Sequence, residues 1–119
     1  MKKEFIPYEQ NLEIRNLGFD EPFIGFYNID LDVIPIDSEP YTTKSKDGAI
    51  LYQQAFRWFR EKHQCESSII AMFLPYENYK EYQFIITYTE SEIVETNFNS
   101  YEEAELACLK KLIEVVKNK

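Results

Sequence analysis

The stretch from Ala49 to His63, AILYQQAFRWFREKH, constrains the fold more than any other part of the chain. At the helical period, Leu51, Tyr52, Ala55, Phe56, Trp58 and Phe59 fall on one side, and Gln53, Gln54, Arg57, Arg60 and Glu61 fall on the other. So wide an apolar face, carrying the one tryptophan, must be sheltered from water, and a helix laid on a sheet is the natural solution. Asp47 is placed to cap the start of this helix.

The segments before it are shorter and more interrupted. Pro7 suits a first helical turn, and Gly18 supplies the left-handed residue at which a helix stops, so a helix is expected from Tyr8 to Leu17 with Phe19 folding back on Ile14. Phe23 to Tyr27 is a ring-rich run suited to a strand. Ile29, Leu31 and Val33 then alternate with Asp30 and Asp32 in the two-residue period of a half-buried strand, with a hairpin near Asn28. Pro35 and Pro40 should stop a central strand, and Asp37 to Gly48 is polar enough for a loop.

After Cys65 three strands are expected. Ser68 to Leu74 is almost continuously apolar, as in a central strand covered on at least one face, and Pro75 to Lys80 makes a turn. Tyr82 to Tyr88 places Tyr82, Phe84, Ile86 and Tyr88 on one face; Glu90 and Ser91 turn the chain, and Ile93 to Phe98 closes the set. Turns this short force antiparallel pairing, since a parallel crossover needs a dozen residues or more. Ser100 and Glu103 form a capping box for a last helix whose stripe is Tyr101, Ala104, Cys108, Leu112 and Val115, widened by Leu109 and Val116. Early glutamates and late lysines in that helix suit its dipole. The expectation is one α+β domain over residues 1–119. Its mostly antiparallel sheet has four or five strands with two or three helices packed on it, in the order α-β-(β)-α-β-β-β-α.

A chain of 119 residues, 45% apolar and 16% aromatic, can offset the entropy of folding without metals or disulfides. Its formal charge of −8 repels phosphate backbones and disfavours direct nucleic-acid binding. Plain solubility is the simplest source of the acidity; a basic protein partner or imitation of a nucleic acid are the alternatives. Cys65 and Cys108 have neither disulfide-scaffold nor zinc-site spacing, and no apolar run approaches the ~20 residues of a membrane span, so a cytoplasmic protein without cofactors is expected.

Few residues are candidates for chemistry. His63, the one histidine, lies two residues from Cys65, but neighbours so close at a helix end rarely aim at one reacting atom, and interaction with the helix-end carbonyls is favoured. Cys108 falls within an apolar stripe and reads as a packer. Asp30, Asp32, Asp37 and Glu39 gather the oxygens that a hard cation needs, yet Ile34 stands where a calcium loop requires its third acid, and solvated edge-strand residues explain them better. The one basic concentration, with Gln53, Arg57, Arg60 and Lys62 as an interaction patch, could meet an acidic partner, although Arg57 and Glu61 are spaced to pair with each other. The three glycines are isolated and form no phosphate-binding loop.

The blocks FIPYEQNLEIRNLGFDEP, LYQQAFRWFREKH and YEEAELACLKKLIEVV resemble a family of small uncharacterised proteins encoded by phages and prophages of anaerobic gut bacteria. The resemblance covers most of the chain and implies no activity, cofactor or catalytic residue. Three functions remain, the first two of the same broad class with different targets. They are a non-enzymatic protein-interaction module, an acidic nucleic-acid mimic that blocks a DNA-binding protein, and a small-ligand binder or enzyme with a cleft under residues 37–48. Homodimers are open to it through an exposed edge strand or an aromatic patch around Phe23 and Phe26.

Overall fold

The computed structural model describes residues 4–21, 25–27, 33–35, 48–74 and 79–118. It is α+β, with α1 (Tyr8–Asn16), β1 (Gly25–Tyr27), β2 (Val33–Pro35), β3 (Gly48–Ala49), α2 (Tyr52–His63), β4 (Cys65–Leu74), β5 (Tyr79–Tyr88), β6 (Ser91–Phe98) and α3 (Tyr101–Lys117). In place of one sheet of four or five strands, the described residues form two antiparallel three-stranded sheets, ordered β2-β1-β3 and β4-β5-β6. The chain divides into two compact units, Met1–Ala55 and Phe56–Lys119, the boundary falling within α2.

In the first unit, α1 ends as its sequence foretells. Gly18 takes φ +107, its N–H donates to the Arg15 carbonyl at 3.0 Å, and the Phe19 N–H reaches back to the Ile14 carbonyl at 3.3 Å. These two bonds satisfy carbonyls that a helix end leaves without partners, while Phe19 and Ile14 are both buried beneath them. The stripe of α1 is mixed: Gln10 and Asn11 are buried beside Ile14. β1 pairs antiparallel with β2 from Tyr27↔Val33 to Gly25↔Pro35, a register that differs from the expected hairpin about Asn28; of the expected second strand only Val33 lies in β2, and residues 28–32 lie outside those described. Pro35 is the last residue of β2, which lies at the edge of its sheet among the described residues, in keeping with a proline that no central strand runs through. An edge strand tolerates a missing N–H that a central strand does not.

The start of the Trp58 helix also differs from expectation. Gly48 and Ala49 are extended and pair with β1, Ile50 accepts a 2.9 Å bond from the Ile6 N–H, and Leu51 bridges Phe5. Tertiary pairing captures these residues before the helix can, and a small cluster of Phe5 and Ala49 with Tyr8 and Leu51 seals the capture. Asp47, the expected cap, lies outside the described residues, as does the rest of the expected loop up to Gly48.

The second unit follows from the register of its hairpins. Gln64 at φ +53 turns the chain from α2 directly into β4, which pairs with β5 from Cys65↔Tyr88 to Leu74↔Tyr79. Thr89, at φ +49, and Glu90 make the next turn, one residue earlier than expected, and β5 pairs with β6 down to Tyr82↔Phe98 across a bulge. β5 is therefore the central strand. Among the described residues the apolar run of β4, expected at the centre, is an edge.

Alternation splits this sheet into two unlike faces. One carries Phe84 and Ile86, both fully buried, with Phe98 stacked on Phe84 at 5.7 Å between ring centroids. α3 lies on that face, tied by Lys111 to Glu95 at 3.8 Å and by Tyr101, edge-on to Tyr82. Its capping box forms. Ser100 Oγ accepts from the Glu103 N–H at 3.1 Å, and the Glu103 carboxylate accepts from the Asn99 N–H, one residue before the usual return. Ala104, Cys108, Leu109, Leu112 and Ile113 are buried, the last three contributing about 1.5–3 kcal/mol each. Tyr101, assigned to the buried stripe from spacing, is exposed, with its ring edge-on to Tyr82.

Candidate functional site

The histidine and the nearby cysteine do not form a reactive pair. The Cys65 thiol, fully buried, approaches the His63 carbonyl oxygen at 3.5 Å, and the His63 ring stands edge-on to Trp58 with centroids 4.8 Å apart. The imidazole is thus engaged with rings and the thiol with backbone. Trp58 and Cys108 are shut inside, at 3% and 0% exposure, and line no crevice beside His63.

Cys108 is held as an unreactive thiol. Burial pushes it up to about 12 against the opposing effect of a hydrogen bond with Ser67 on β4, and Glu105 and Glu95 push the same way as burial. At neutral pH it is protonated, and the thiolate is the nucleophilic form.

Glu105 is the side chain that spacing should have revealed. On the α3 wheel it sits between the directions of Cys108 and Leu109, near the middle of the sheltered face, although its early position had suggested only a dipole partner. Burial, then Glu102, raises its carboxyl from 4.5 to about 7. The neighbouring Tyr101 phenol is raised as well, chiefly by burial and then by Glu105. A carboxyl titrating near neutrality could move a proton, but the groups around it are another carboxylate, a phenol and a protonated thiol. None of these is an activated nucleophile.

The basic positions singled out from the sequence, Gln53, Arg57, Arg60 and Lys62, are all exposed. Gln53, Arg57 and Arg60 lie on one strip of α2, where Arg57 pairs with Glu61 at 3.8 Å. Lys62 lies about half a turn round the axis and does not share that strip. Asp30, Asp32, Asp37 and Glu39 lie outside the described residues, as do Phe23 and the 37–47 segment proposed to roof a cleft. Among the described residues no cluster of three His, Cys, Asp or Glu side chains could hold a metal ion. No described helix is long and apolar enough to cross a membrane.

The surface that sequence reasoning missed is the face of the β4-β5-β6 sheet opposite α3. Register places Ile70 and Met72 of β4, Ile85 of β5 and Val94 of β6 there, with Ser68 opposite Ile85 and Ile85 opposite Val94. Ile70, Met72 and Val94 are 36%, 37% and 46% exposed. Glu66 and Glu92, both paired with Thr87, stand at one end of this apolar band, and Glu81, paired with Met72, stands at the other. No lysine or arginine of these strands projects from that face, since Lys80 alternates to the opposite side with Phe73. The signal existed in the alternation of β5 and β6, where Ile85 and Val94 share a period with Gln83, Thr87, Glu92 and Thr96. No family model, curated protein or solved structure matches the chain.

Proposed function

We propose that this chain is a non-enzymatic protein-interaction module that uses the open face of its β4-β5-β6 sheet to hold a basic protein segment with apolar side chains. The observation that carries this proposal is the exposed band of Ile70, Met72 and Val94, bounded at both ends by glutamates, with no cation of the three strands on that face. An apolar centre with a charged rim is the anatomy of a protein interface, and a rim of one sign selects a partner of the other. The resemblance to small proteins of phages and prophages supports an accessory role, in the cytoplasm, against a host or phage factor.

The acidic nucleic-acid mimic is the second candidate, because Glu66, Glu81 and Glu92 share one face on which these strands place no cation. Charge density argues against it. Duplex DNA carries one charge per ~1.7 Å of axis. Glu66 and Glu92 stand about 10 Å apart across the sheet with Thr87 between them, and Glu81 lies about 20 Å further along the strands.

Pull-down with the full chain discriminates these ideas. The wild type and an Arg57→Glu/Arg60→Glu variant should recover the same partner, and Val94→Lys should lose it. Loss with the α2 variant and retention with Val94→Lys would transfer the site to α2. Release of the partner by duplex DNA would favour the mimic, and recovery of no partner above background would remove the proposal.

A further inference from the structure

The geometry points to β4 as a pairing edge for a second copy of this chain: two β4 strands meet antiparallel and join two three-stranded sheets into one of six strands. Among the described residues β4 is hydrogen-bonded in the sheet only to β5, and no other backbone bond reaches Glu66 to Phe73. An edge of this kind offers unused N–H and C=O groups to any extended chain, and proteins normally guard it with charge, proline or a bulge.

The two edges of this sheet are treated differently. β6 carries Glu92 and Glu95, a break in register opposite Tyr82 and Phe84, and Asn97 at φ +71. That edge is guarded. From Ser67 to Leu74, β4 has no charge, no proline and an unbroken register with β5. It also concentrates exposed apolar bulk. Of the large hydrophobic side chains exposed among the described residues, Ile70, Met72 and Phe73 lie on this strand, leaving Val94 and Tyr101 elsewhere.

Charge selects the occupant as a second copy and sets the direction of pairing. Copies of a chain with net charge −8 repel at most approaches, and β6 against β6 would bring together two strands that each carry Glu92 and Glu95. β4 against β4 brings no glutamates together when antiparallel, because Glu66, its one charge, then lies at opposite ends of the seam. A parallel pairing would stack the two. Opposite residues of an antiparallel pair share a face, so a two-fold axis must pass where one residue faces its own copy.

Ile70 is that residue when the pairing runs from Glu66 to Leu74: Ser68 then faces Met72 of the second copy and Phe73 faces Ser67 of the second copy. Phe73, 63% exposed beyond the first turn of α3, comes to lie beside the sheltered face of the neighbouring sheet. Strand-to-strand contact of this length falls at or below the ~1,200 Å² lower bound of stable interfaces, so a dissociation constant in the micromolar range is expected.

Sedimentation velocity on the full chain from about 5 to 200 μM tests this, a range set on either side of the expected constant. The wild type should move from 14.2 kDa toward twice that mass with concentration. Ile70→Glu and Ile70→Lys place like charges opposite each other at the axis and should each weaken association at least about tenfold, with far-UV circular dichroism unchanged. Mixed together they should associate again, which a merely unfolded variant would not do. Val94→Lys, away from the seam, should dimerise as the wild type does even while losing a bound partner, so the two proposals fail separately. A wild type that stays at 14.2 kDa throughout, association unchanged by both Ile70 variants, or a mixture no tighter than its components would overturn the pairing.

Discussion

Replacing Glu105 by glutamine should stabilise the fold above neutral pH and flatten part of its pH dependence. The carboxyl is raised from 4.5 to about 7 by burial and by Glu102, so between those values the folded chain keeps a proton that the unfolded chain has released. Stability must then fall as pH rises through that window, with the loss complete above about 7 and absent below 4.5. Each pH unit of displacement corresponds to about 1.4 kcal/mol, and the whole to roughly 3 kcal/mol if nothing screened the charge. Glu105 is half-buried, so water and mobile ions reduce this to about 1–2 kcal/mol. Glutamine keeps the shape and removes the charge. Thermal unfolding of both proteins at about pH 5, 7 and 8.5, followed by circular dichroism, should show a variant about 4–8 °C more stable at the highest pH and nearly equal at the lowest. Other carboxylates tilt both curves alike, and the difference isolates Glu105. A variant that is no more stable than the wild type at the highest pH, or a difference that does not change with pH, would refute the assignment of a strained carboxylate.

Two further outcomes follow from the same structure. Ser100→Ala removes the acceptor for the Glu103 N–H and should cost about 1 kcal/mol in denaturant unfolding, while Ser100→Asp should restore most of it; equal midpoints for Ser100→Ala and wild type would deny the cap any weight. Both Cys65 and Cys108 are buried, so a water-soluble thiol reagent at about pH 8 should modify them no faster than the chain opens; a thiol that reacts within the mixing time would contradict their burial.

Local chemistry was legible wherever a few neighbouring residues decide the outcome. The helix stop at Gly18, with Phe19 bonded to Ile14, and the Ser100 to Glu103 cap depend on contacts within five residues, and both are present. The faces of β5 were legible too, since Phe84 and Ile86 are buried as their alternation demands. Long-range pairing was not legible. Nothing within residues 48–51 announces that they will pair with β1 and the segment around Phe5 instead of opening the helix. The eight-residue run from Ser67 to Leu74 fits a covered central strand as well as an uncovered edge, because periodicity reports how a strand is patterned and not how many neighbours it has. Tyr101 was misplaced for a related reason: wheel position alone does not say which turns of a helix a partner covers.

The contrast between the faces and edges of the β4-β5-β6 sheet bears on how a partner would be held. If β4 pairs with its copy, the apolar band on the open face runs from Val94 through Ile85 to Ile70, across the seam, and out again to the second Val94. Glu92 of each copy then stands at an outer margin of a six-stranded surface with a two-fold axis at its centre. A single site of this width gives modest affinity, because apolar area is partly spent on ordering the side chains that meet it. Two sites fixed on one rigid sheet turn the second contact into an intramolecular one, which raises the affinity for a partner that is itself two-fold or repeats its basic segment. Partner binding should then depend on the concentration of this chain, and Ile70→Glu should weaken capture of a repeating partner more than capture of a single segment.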